Sequence, residues 1–521
     1  MMHKSHDPPP PGEPDPLRWR ILGILCLCLI LIVASVSSLN VAIPSIVRAL
    51  DASQTEQLWI LDSYALVFAG LLLPAGAIGD RYGRKGALLT GLAIFGTAAI
   101  VASFADSAAL IIAFRSVMGV GAALVMPATL SIITVVFPPE ERGKAIAIWA
   151  GFAGAGGAIG PLSSGILLEH FWWGSVFFVN VPIVMVAFVA ISRWVPTSRD
   201  DEARPLDPAG ALLSILGLGS LVFGIINGPE HGWTDPLTLA AFVVSLVALA
   251  GFVRYETRIE FPMLDPRLFR IRRFALGSLT ITMAFMVMFG MFFLITLYLQ
   301  FVQGYSALGA AVRTLPFAVT MIAVSPRGPK LVARFGARAV VTTGLLIQAT
   351  GFVLMSRLQP ETPYVYLALG IVLAAAGMAL LMPPSTEAIV SSLPQSKAGV
   401  GSAVNDTTRE VGGAIGIALL GSLLSIGYRS GVSSLVDNPA LPRQAAEAIN
   451  DSVAGASFAA AEAPAPFGAQ ILQTAGNAYT DGMSLAFTVA AVIGVATAIV
   501  VNRTYPRESL SLADEWHLVE T

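Results

Sequence analysis

Three charged residues fall within five positions of a long apolar run near the C-terminus: Asp406, Arg409 and Glu410. Charged side chains are costly inside a bilayer, so their presence there favours a functional role. Asp406 and Glu410 are four residues apart and share one helix face, and Arg409 can pair with Asp406. Two carboxylates this close in a low-dielectric setting are suited to binding and releasing a proton near neutral pH. The alternative is a salt-bridge network that orients the helix.

Three more ionisable residues lie inside apolar runs. Asp62 is one turn inside the second run, Arg115 is two turns into the fourth, and Arg313 lies at comparable depth in the tenth. We expect Arg313 to be the counterpart of Arg115 in the second half of the chain. The alternatives are a hydrated helix-start residue for Asp62 and a structural ion pair for Arg115.

Long apolar helices must position these residues. The chain has 521 residues, of which 55% are hydrophobic and 12% charged, whereas soluble proteins carry about 25% charged residues. Crossing a bilayer as a helix takes about 20 apolar residues, and the runs predict fourteen spans. These spans are 19–45, 57–77, 86–105, 108–136, 142–168, 174–195, 208–228, 236–255, 274–301, 306–326, 338–357, 363–384, 397–428 and 481–502.

Lysine and arginine are distributed unevenly over the loops. With the N-terminus inside, 24 of the 31 basic residues fall in cytoplasmic segments and four in external ones. This asymmetry predicts that both termini are cytoplasmic. The net charge of −2 suggests no nucleic-acid partner. No metal-ligand or phosphate-binding motif is apparent, so we expect no cofactor.

An internal repeat connects the two halves of the chain. Gly121–Pro127 recurs with two changes as Gly377–Pro383, and Gly156–Gly160 recurs unchanged as Gly412–Gly416. Both offsets are 256 residues. The fold predicted is an all-α polytopic membrane protein with two pseudo-symmetric six-helix bundles, as expected when two bundles rock about a central site. Two further helices are inserted between the bundles.

These patterns divide the chain into segments. Within the second bundle, the external loop 427–480 is rich in small residues, and Pro442–Ser452 has the pattern of a short amphipathic helix. The predicted segments are a disordered cytoplasmic tail (1–18), the first bundle (19–195), a linker with the inserted helices (196–273), the second bundle (274–502) and a cytoplasmic tail (503–521).

The short charged loop after the second span carries the most specific motif. Its glycines permit close helix approach or sharp turns, and Asp80 can accept hydrogen bonds from an arginine or from a helix N-terminus. The motif residues are Gly76, Gly79, Asp80, Arg81, Gly83 and Arg84. The motif resembles the signature loop of the major facilitator superfamily of secondary transporters. The alternative for its basic residues alone is an ordinary positive-inside loop.

A second motif lies in the fifth span. Small residues at four-residue spacing allow close helix contact, and the proline permits a bend. Its residues are Gly156, Gly157, Gly160, Pro161 and Gly165. The set is similar to the exporter-associated motif of this superfamily, with Ser164 in place of a glycine. The alternative is plain helix packing.

Fourteen spans with an inserted pair resemble the drug:proton antiporter branch. In that branch an arginine placed like Arg115 is associated with proton transfer, and related exporters of quaternary ammonium compounds carry acidic residues like Asp62 and those of the thirteenth span. One departure is in the first helix, where Ser35 stands at the position of a common aspartate. Any proton coupling must then use Asp62, Asp406 or Glu410.

The function predicted is a secondary active multidrug exporter of the bacterial cell membrane. It would move small, hydrophobic, cationic compounds out of the cell in exchange for protons by alternating access, as a monomer among membrane lipids. An adaptable apolar surface is expected from Phe285, Met288, Phe292 and Phe293. The alternatives are a dedicated exporter of one endogenous metabolite or lipid, a uniporter driven by membrane potential, and a membrane enzyme. The enzyme alternative predicts a nucleophile–base set or a cluster of metal ligands, and the sequence shows neither motif.

Overall fold

The structure, a computed structural model, describes residues 15–199, 206–438 and 441–506. The tail predictions for residues 1–14 and 507–521 lie outside these ranges. Residues 15–17 form the turn that starts the first helix, and the Asp15 carboxylate accepts a hydrogen bond from the Leu17 amide at 2.7 Å. The predicted disordered segment therefore does not extend to residue 18.

The described residues form helices and turns and contain no strand. The α-helices are α1 (Arg18–Leu50), α2 (Gln54–Tyr82), α3 (Arg84–Ser103), α4 (Ala108–Val136), α5 (Pro139–His170), α6 (Ser175–Phe178), α7 (Asn180–Trp194), α8 (Pro208–His231), α9 (Pro236–Glu256), α10 (Arg272–Leu297), α11 (Ala307–Val324), α12 (Gly328–Phe335), α13 (Ala337–Met355), α14 (Tyr364–Ser391), α15 (Ala398–Val436), α16 (Arg443–Asp451), α17 (Val453–Glu462) and α18 (Ala465–Thr504).

Fourteen helical segments in the described ranges are long and apolar enough to cross a membrane, which confirms the predicted number of spans. The sixth span combines α6 and α7, and the tenth combines α11 and α12 around a 3₁₀ turn at Ser325–Arg327.

The predicted external loop 427–480 is wrong in its limits. α15 continues to Val436 and α18 begins at Ala465, so two long helices extend into that stretch from both ends. Runs of alanine, glycine and serine there lowered the apparent hydropathy although they are compatible with helix. The predicted short helix is present as α16, which is followed by α17.

Local signals start several of these helices. Ser53 and Glu56 form a reciprocal capping box at the start of α2, with the Ser53 amide donating to Glu56 Oε2 at 2.9 Å. The inserted helices α8 and α9 both begin with an aspartate cap followed by proline, at Asp207 and Asp235. Aspartate satisfies free amides of the first turn, and proline has no amide to satisfy there.

The two halves repeat their closest helix contacts. A β-carbon built on Gly91 of α3 would lie 2.7 Å from the Gly121 carbonyl oxygen of α4. One built on Gly344 of α13 would lie 2.7 Å from the Gly377 carbonyl oxygen of α14. The turns before α3 and α13 are also matched, since Gly83 has a φ of 115° and Gly336 a φ of 80°. The sequence repeat thus reflects equivalent packing.

Both halves meet along two seams. α2 packs against α15 on one side of the molecule, and α5 packs against α11 on the other. The inserted helix α8 contacts both α2 and α15, while α9 packs mainly on α8. The insertion therefore lies outside the α2–α15 seam.

Replacing Gly91 or Gly344 by alanine tests the repeated contacts. Each new methyl group would press on a backbone carbonyl that cannot move independently, so we expect a destabilisation of about 1–3 kcal/mol. The measurement is the thermal unfolding temperature of the purified protein in detergent. Gly86→Ala in α3 is the matched control, because no atom lies within 4 Å of its β-carbon position. Equal unfolding temperatures for all three variants would contradict the close-packing assignment.

Candidate functional site

The Asp80 carboxylate binds the start of α15. Its two oxygens accept hydrogen bonds from the Gly399 amide at 2.9 Å and the Val400 amide at 3.1 Å. Arg84 Nε donates to the same carboxylate at 3.0 Å. Both donor types expected from the sequence, an arginine and a helix N-terminus, are therefore present. We call Asp80, Arg84 and these two amides the latch, and the end of the bundle where they lie the motif end.

Two glycines allow the latch to close. A β-carbon on Gly76 would lie 2.6 Å from the Gly399 carbonyl oxygen, and one on Gly399 would lie 2.6 Å from the Gly76 carbonyl oxygen. The α2 and α15 backbones thus touch just before the latch. Gly79 plays no such part, since its β-carbon would make an ordinary 3.6 Å contact with Ala87. Arg81 stacks on the neighbouring Tyr82 ring, 5.4 Å from its centroid.

Further hydrogen bonds between the halves gather at the motif end. Arg84 Nη2 donates to the Gln395 carbonyl at 2.7 Å, and Gln395 Nε2 donates to the Thr134 carbonyl at 3.2 Å. On the other seam, Ser325 Oγ donates to the Ala147 carbonyl at 2.6 Å. The structure therefore has the halves joined at this end.

Two turns further along α15, Asp406 and Arg409 form a buried ion pair. Arg409 Nη1 lies 3.5 Å from Asp406 Oδ1, and the two side chains are 4% and 1% exposed. Asn405 Nδ2 also donates to Asp406 Oδ1 at 3.3 Å, and Thr386 Oγ1 donates to Asn405 Oδ1 at 3.0 Å. Asp406 is thus held by α15 itself and indirectly by α14.

Arg409 crosses from one half to the other. Its guanidinium lies 4.6 Å from the ring centroid of Trp149 in α5 and 5.0 Å from that of Phe285 in α10. Arg409 Nε and Nη2 and Asp406 Oδ2 are buried without a hydrogen bond to the described chain. The pair is held by a single long ion-pair contact, and several of its polar atoms make no hydrogen bond within the described chain. Few interactions must therefore be broken when the pair rearranges.

Glu410 and Arg115 both act electrostatically on Tyr64. The half-buried Glu410 carboxylate interacts electrostatically with Asp406, Arg409 and Tyr64. On the other side, the Arg115 guanidinium stacks over the Tyr64 ring at 4.5 Å and donates to the Ile60 carbonyl at 3.2 Å. Tyr64 therefore packs against Arg115 within the first half and is close enough to Glu410 of the second half to sense its charge.

Asp62 and Arg313 occupy different surroundings from the α15 cluster. Asp62 is half-buried near the start of α2, and its charge acts on Arg115. Arg313 lies near the start of α11, 3.5 Å from the Tyr305 ring centroid and 5.5 Å from that of Tyr364. The structure thus gives Arg313 an aromatic environment, as Arg115 has, but does not bring it to the carboxylates.

The glycine motif of α5 divides between two neighbours. Positions for β-carbons on Gly156 and Gly160 collide with α1, whereas that on Gly165 meets Leu308 of α11 at 3.2 Å. Gly157 has no atom within 4 Å of its β-carbon position. Pro161 remains within the continuous helix α5. The motif allows α5 to fit between α1 of its own half and α11 of the other.

The predicted apolar surface of α10 is not one surface. Phe285 and Met288 are buried, Phe292 packs edge-to-face on Phe317 with 4.9 Å between centroids, and Phe293 is exposed. Phe285 alone of these four touches the charged cluster, through Arg409.

Sequence reasoning missed Tyr64, Trp149 and Thr386 as members of the site. Each lies in a different helix from the site residue it contacts, which is Arg115 for Tyr64, Arg409 for Trp149 and Asn405 for Thr386, so no spacing rule joins them. The available signal was chemical: Trp149 is an aromatic residue within a glycine- and alanine-rich span, and Thr386 follows two consecutive prolines, Pro383 and Pro384. Ser35, at the position of the missing aspartate, is buried in α1.

Fourteen membrane helices in two repeated halves, joined at one end and enclosing a charged cluster, define a multi-pass membrane transporter. A family model described as Major Facilitator Superfamily matches residues 25–417, and the chain belongs to this family.

Relatives along nearly the whole chain place it in the multidrug exporter branch. It is 37% identical over 503 residues to the multidrug efflux pump LfrA of Mycolicibacterium smegmatis, covering 95% of this chain and 99% of that protein. It is 32% identical to the tetracenomycin C resistance and export protein of Streptomyces glaucescens, covering 98% and 97%. It is 35% identical to the methyl viologen resistance protein SmvA of Salmonella typhimurium, and this match covers 91% of this chain and 95% of that protein. The predicted family and location in the cell membrane are confirmed.

Solved structures agree on the fold. The human organic anion transporter MFSD10 aligns with a TM-score of 0.61 at 16% identity, covering 94% of this chain and 100% of that one. The proton:xylose symporter XylE aligns with a TM-score of 0.58 at 13% identity, covering 96% and 98%.

Asp80→Asn should weaken the latch. The variant removes the negative charge that the α15 N-terminus and Arg84 share, and charged hydrogen bonds of this kind contribute about 1.5–3 kcal/mol each. We expect the ratio of molecules with a closed motif end to molecules with an open one to fall about tenfold or more. The measurement is the distance distribution between spin labels on the motif ends of α2 and α15. Asp106→Asn, at an exposed loop aspartate, is the control, and an unchanged distribution in Asp80→Asn would disprove the latch.

Proposed function

We propose that the protein exports small, hydrophobic, cationic compounds in exchange for protons by alternating access. The observation that carries this proposal is the Asp406–Arg409 pair, which is buried at the interface between the halves and has unsatisfied polar atoms on both partners. Movement of the halves would change the surroundings of this pair. The relatives named as multidrug efflux and resistance proteins support a drug as the cargo.

Competition at the α15 carboxylates would couple cargo to protons. A cation or a proton can each neutralise Asp406 or Glu410, so binding one favours release of the other. The aromatic faces of Trp149 and Phe285 now hold the Arg409 guanidinium. A lipophilic cation that displaces Arg409 would find two rings suited to cation–π contact, worth about 2 kcal/mol or more when desolvated.

In this scheme Arg115 and Asp62 take part in proton coupling through their charges, since Asp62 acts electrostatically on Arg115. Arg115 is buried and acts electrostatically on Tyr64, on which Glu410 acts as well. A change in the charge of Glu410 is therefore felt by the first half. Arg313 would influence the opposite seam, next to Gly165 and Leu308, through its contacts with Tyr305 and Tyr364.

The orientation follows from the charge distribution. We place the motif end and both termini in the cytoplasm, because 24 of the 31 lysines and arginines fall on that side. With the motif end closed, access to the α15 carboxylates from the cytoplasm is shut in this structure. All groups of the site belong to one chain, so a monomer would be sufficient for transport.

Proton release upon addition of ethidium to proteoliposomes tests the proposal. We expect release by the wild type and at least a roughly tenfold smaller release by Asp406→Asn or Glu410→Gln, equivalent to about 1.4 kcal/mol of lost coupling. Glu447→Gln is the matched control, because this carboxylate is 63% exposed and paired with Arg443 on α16.

Other results identify the alternatives. Ethidium transport without proton movement in the wild type would indicate a uniporter driven by membrane potential. No ethidium transport, in protein that unfolds cooperatively, would favour an exporter dedicated to a single metabolite or lipid. Equal proton release by the wild type and both variants would remove the α15 carboxylates from the mechanism.

A further inference from the structure

Two acidic side chains meet where the inserted helices approach the latch. Asp207 caps the start of α8, and Glu256 is the last residue of α9. A β-carbon built on Gly210 would overlap both Asp207 Oδ2 and Glu256 Oε1. The two carboxyl groups therefore lie side by side, and residue 210 must be glycine for them to do so.

The pair is buried and lacks donors. Glu256 is 1% exposed, and neither of its oxygens has a hydrogen-bond donor from the described chain. The Met263 and Leu264 amides approach the Glu256 carboxyl and favour its charged form, but neither makes a well-formed hydrogen bond with it. Asp207 Oδ1 accepts from the Gly210 amide at 2.9 Å, whereas Asp207 Oδ2 has no donor. Three carboxyl oxygens of this pair are thus without a well-formed hydrogen bond from the described residues.

Adjacent buried carboxylates repel each other strongly when both are charged. One proton between them removes a charge and supplies the missing O–H donor. A metal ion would need further ligands, and among the described residues no group of three or more acidic, histidine or cysteine side chains is placed to hold one. A proton is therefore the ligand that these two described side chains can bind by themselves.

We propose that Asp207 and Glu256 form a proton-binding carboxyl pair, distinct from the carboxylates of α15. The proton resides on Glu256 and is donated in a hydrogen bond to Asp207 Oδ2. Helix ends decide this assignment, because a helix N-terminus favours negative charge and a C-terminus disfavours it. Asp207 is at the N-terminus of α8 and Glu256 at the C-terminus of α9.

Among the residues that the structure describes, few other charges face the pair. Tyr255 of α9 interacts with both carboxyl groups. A cavity of about 60 Å³ adjoins Asp207, and its far wall includes Asp80 and Arg81 of α2 and Lys397, which precedes α15. The Lys397 ammonium donates to the Pro262 carbonyl at 3.2 Å. Loss of the proton would place a second negative charge beside this cavity and separate the adjoining ends of α8 and α9.

Infrared difference spectroscopy of the full-length protein in nanodiscs tests the pair. The C=O stretch of a protonated carboxyl is followed from acid to alkaline pH in an Asp406→Asn/Glu410→Gln background, which silences α15. We expect Glu256→Gln to remove the band of one carboxyl group that is still protonated at neutral pH. Asp207→Asn should shift the titration of that band to lower pH, because Glu256 loses its charged neighbour.

The control is Glu260→Gln, an exposed carboxylate in the same linker, which should leave the band unchanged. Identical spectra for Glu256→Gln and its background would overturn the proposal, as would an unshifted titration in Asp207→Asn. If sodium abolishes the band at neutral pH in place of alkali, a cation is the ligand and the proton assignment is wrong. Since α15 is silenced, failure here leaves the proposed proton antiport untouched.

Discussion

The structure depends on one electrostatic contact: a carboxylate from the first half placed on the N-terminus of a helix from the second half. Asp80 satisfies the amides of Gly399 and Val400, which have no partners within α15. Its own charge is shared with Arg84. The contact requires near backbone-to-backbone approach, which Gly76 and Gly399 permit. Any larger residue at these positions would hold the halves apart.

The same helix carries the buried charges. α15 begins at the latch and reaches Asp406 two turns later, so a rigid-body movement that pulls its N-terminus from Asp80 also displaces Asp406 and Arg409 relative to Trp149. Because helices are stiff over this distance, coupling between the motif end and the buried cluster needs no separate chain of residues. α15 itself transmits the change.

The sequence was most informative about features that depend on residues close together along the chain. Apolar length gave all fourteen spans, and the motif spacing gave the Asp80 contacts, since each rests on a bilayer thickness or a helix geometry. The limits of α15 and α18 were missed because their outer turns are rich in alanine, glycine and serine and resemble a loop in hydropathy. Tyr64, Trp149 and Thr386 were missed because their role depends on which helices become neighbours. The proximity of Asp207 and Glu256 across the inserted pair has the same origin.

The inserted helices make the two seams between the repeated halves different from each other. Since α8 lies over the α2–α15 seam, one of the two lines along which the halves part is shielded from the surrounding lipid. The α5–α11 seam has no inserted helix of this kind in its contacts among the described residues. The two seams are therefore unequal toward the surrounding membrane: one is covered by the inserted pair, and the other is formed by the helices of the two halves themselves. For the proposed export of hydrophobic compounds, this difference makes the α5–α11 side the one on which no inserted helix of the described chain separates the seam from lipid.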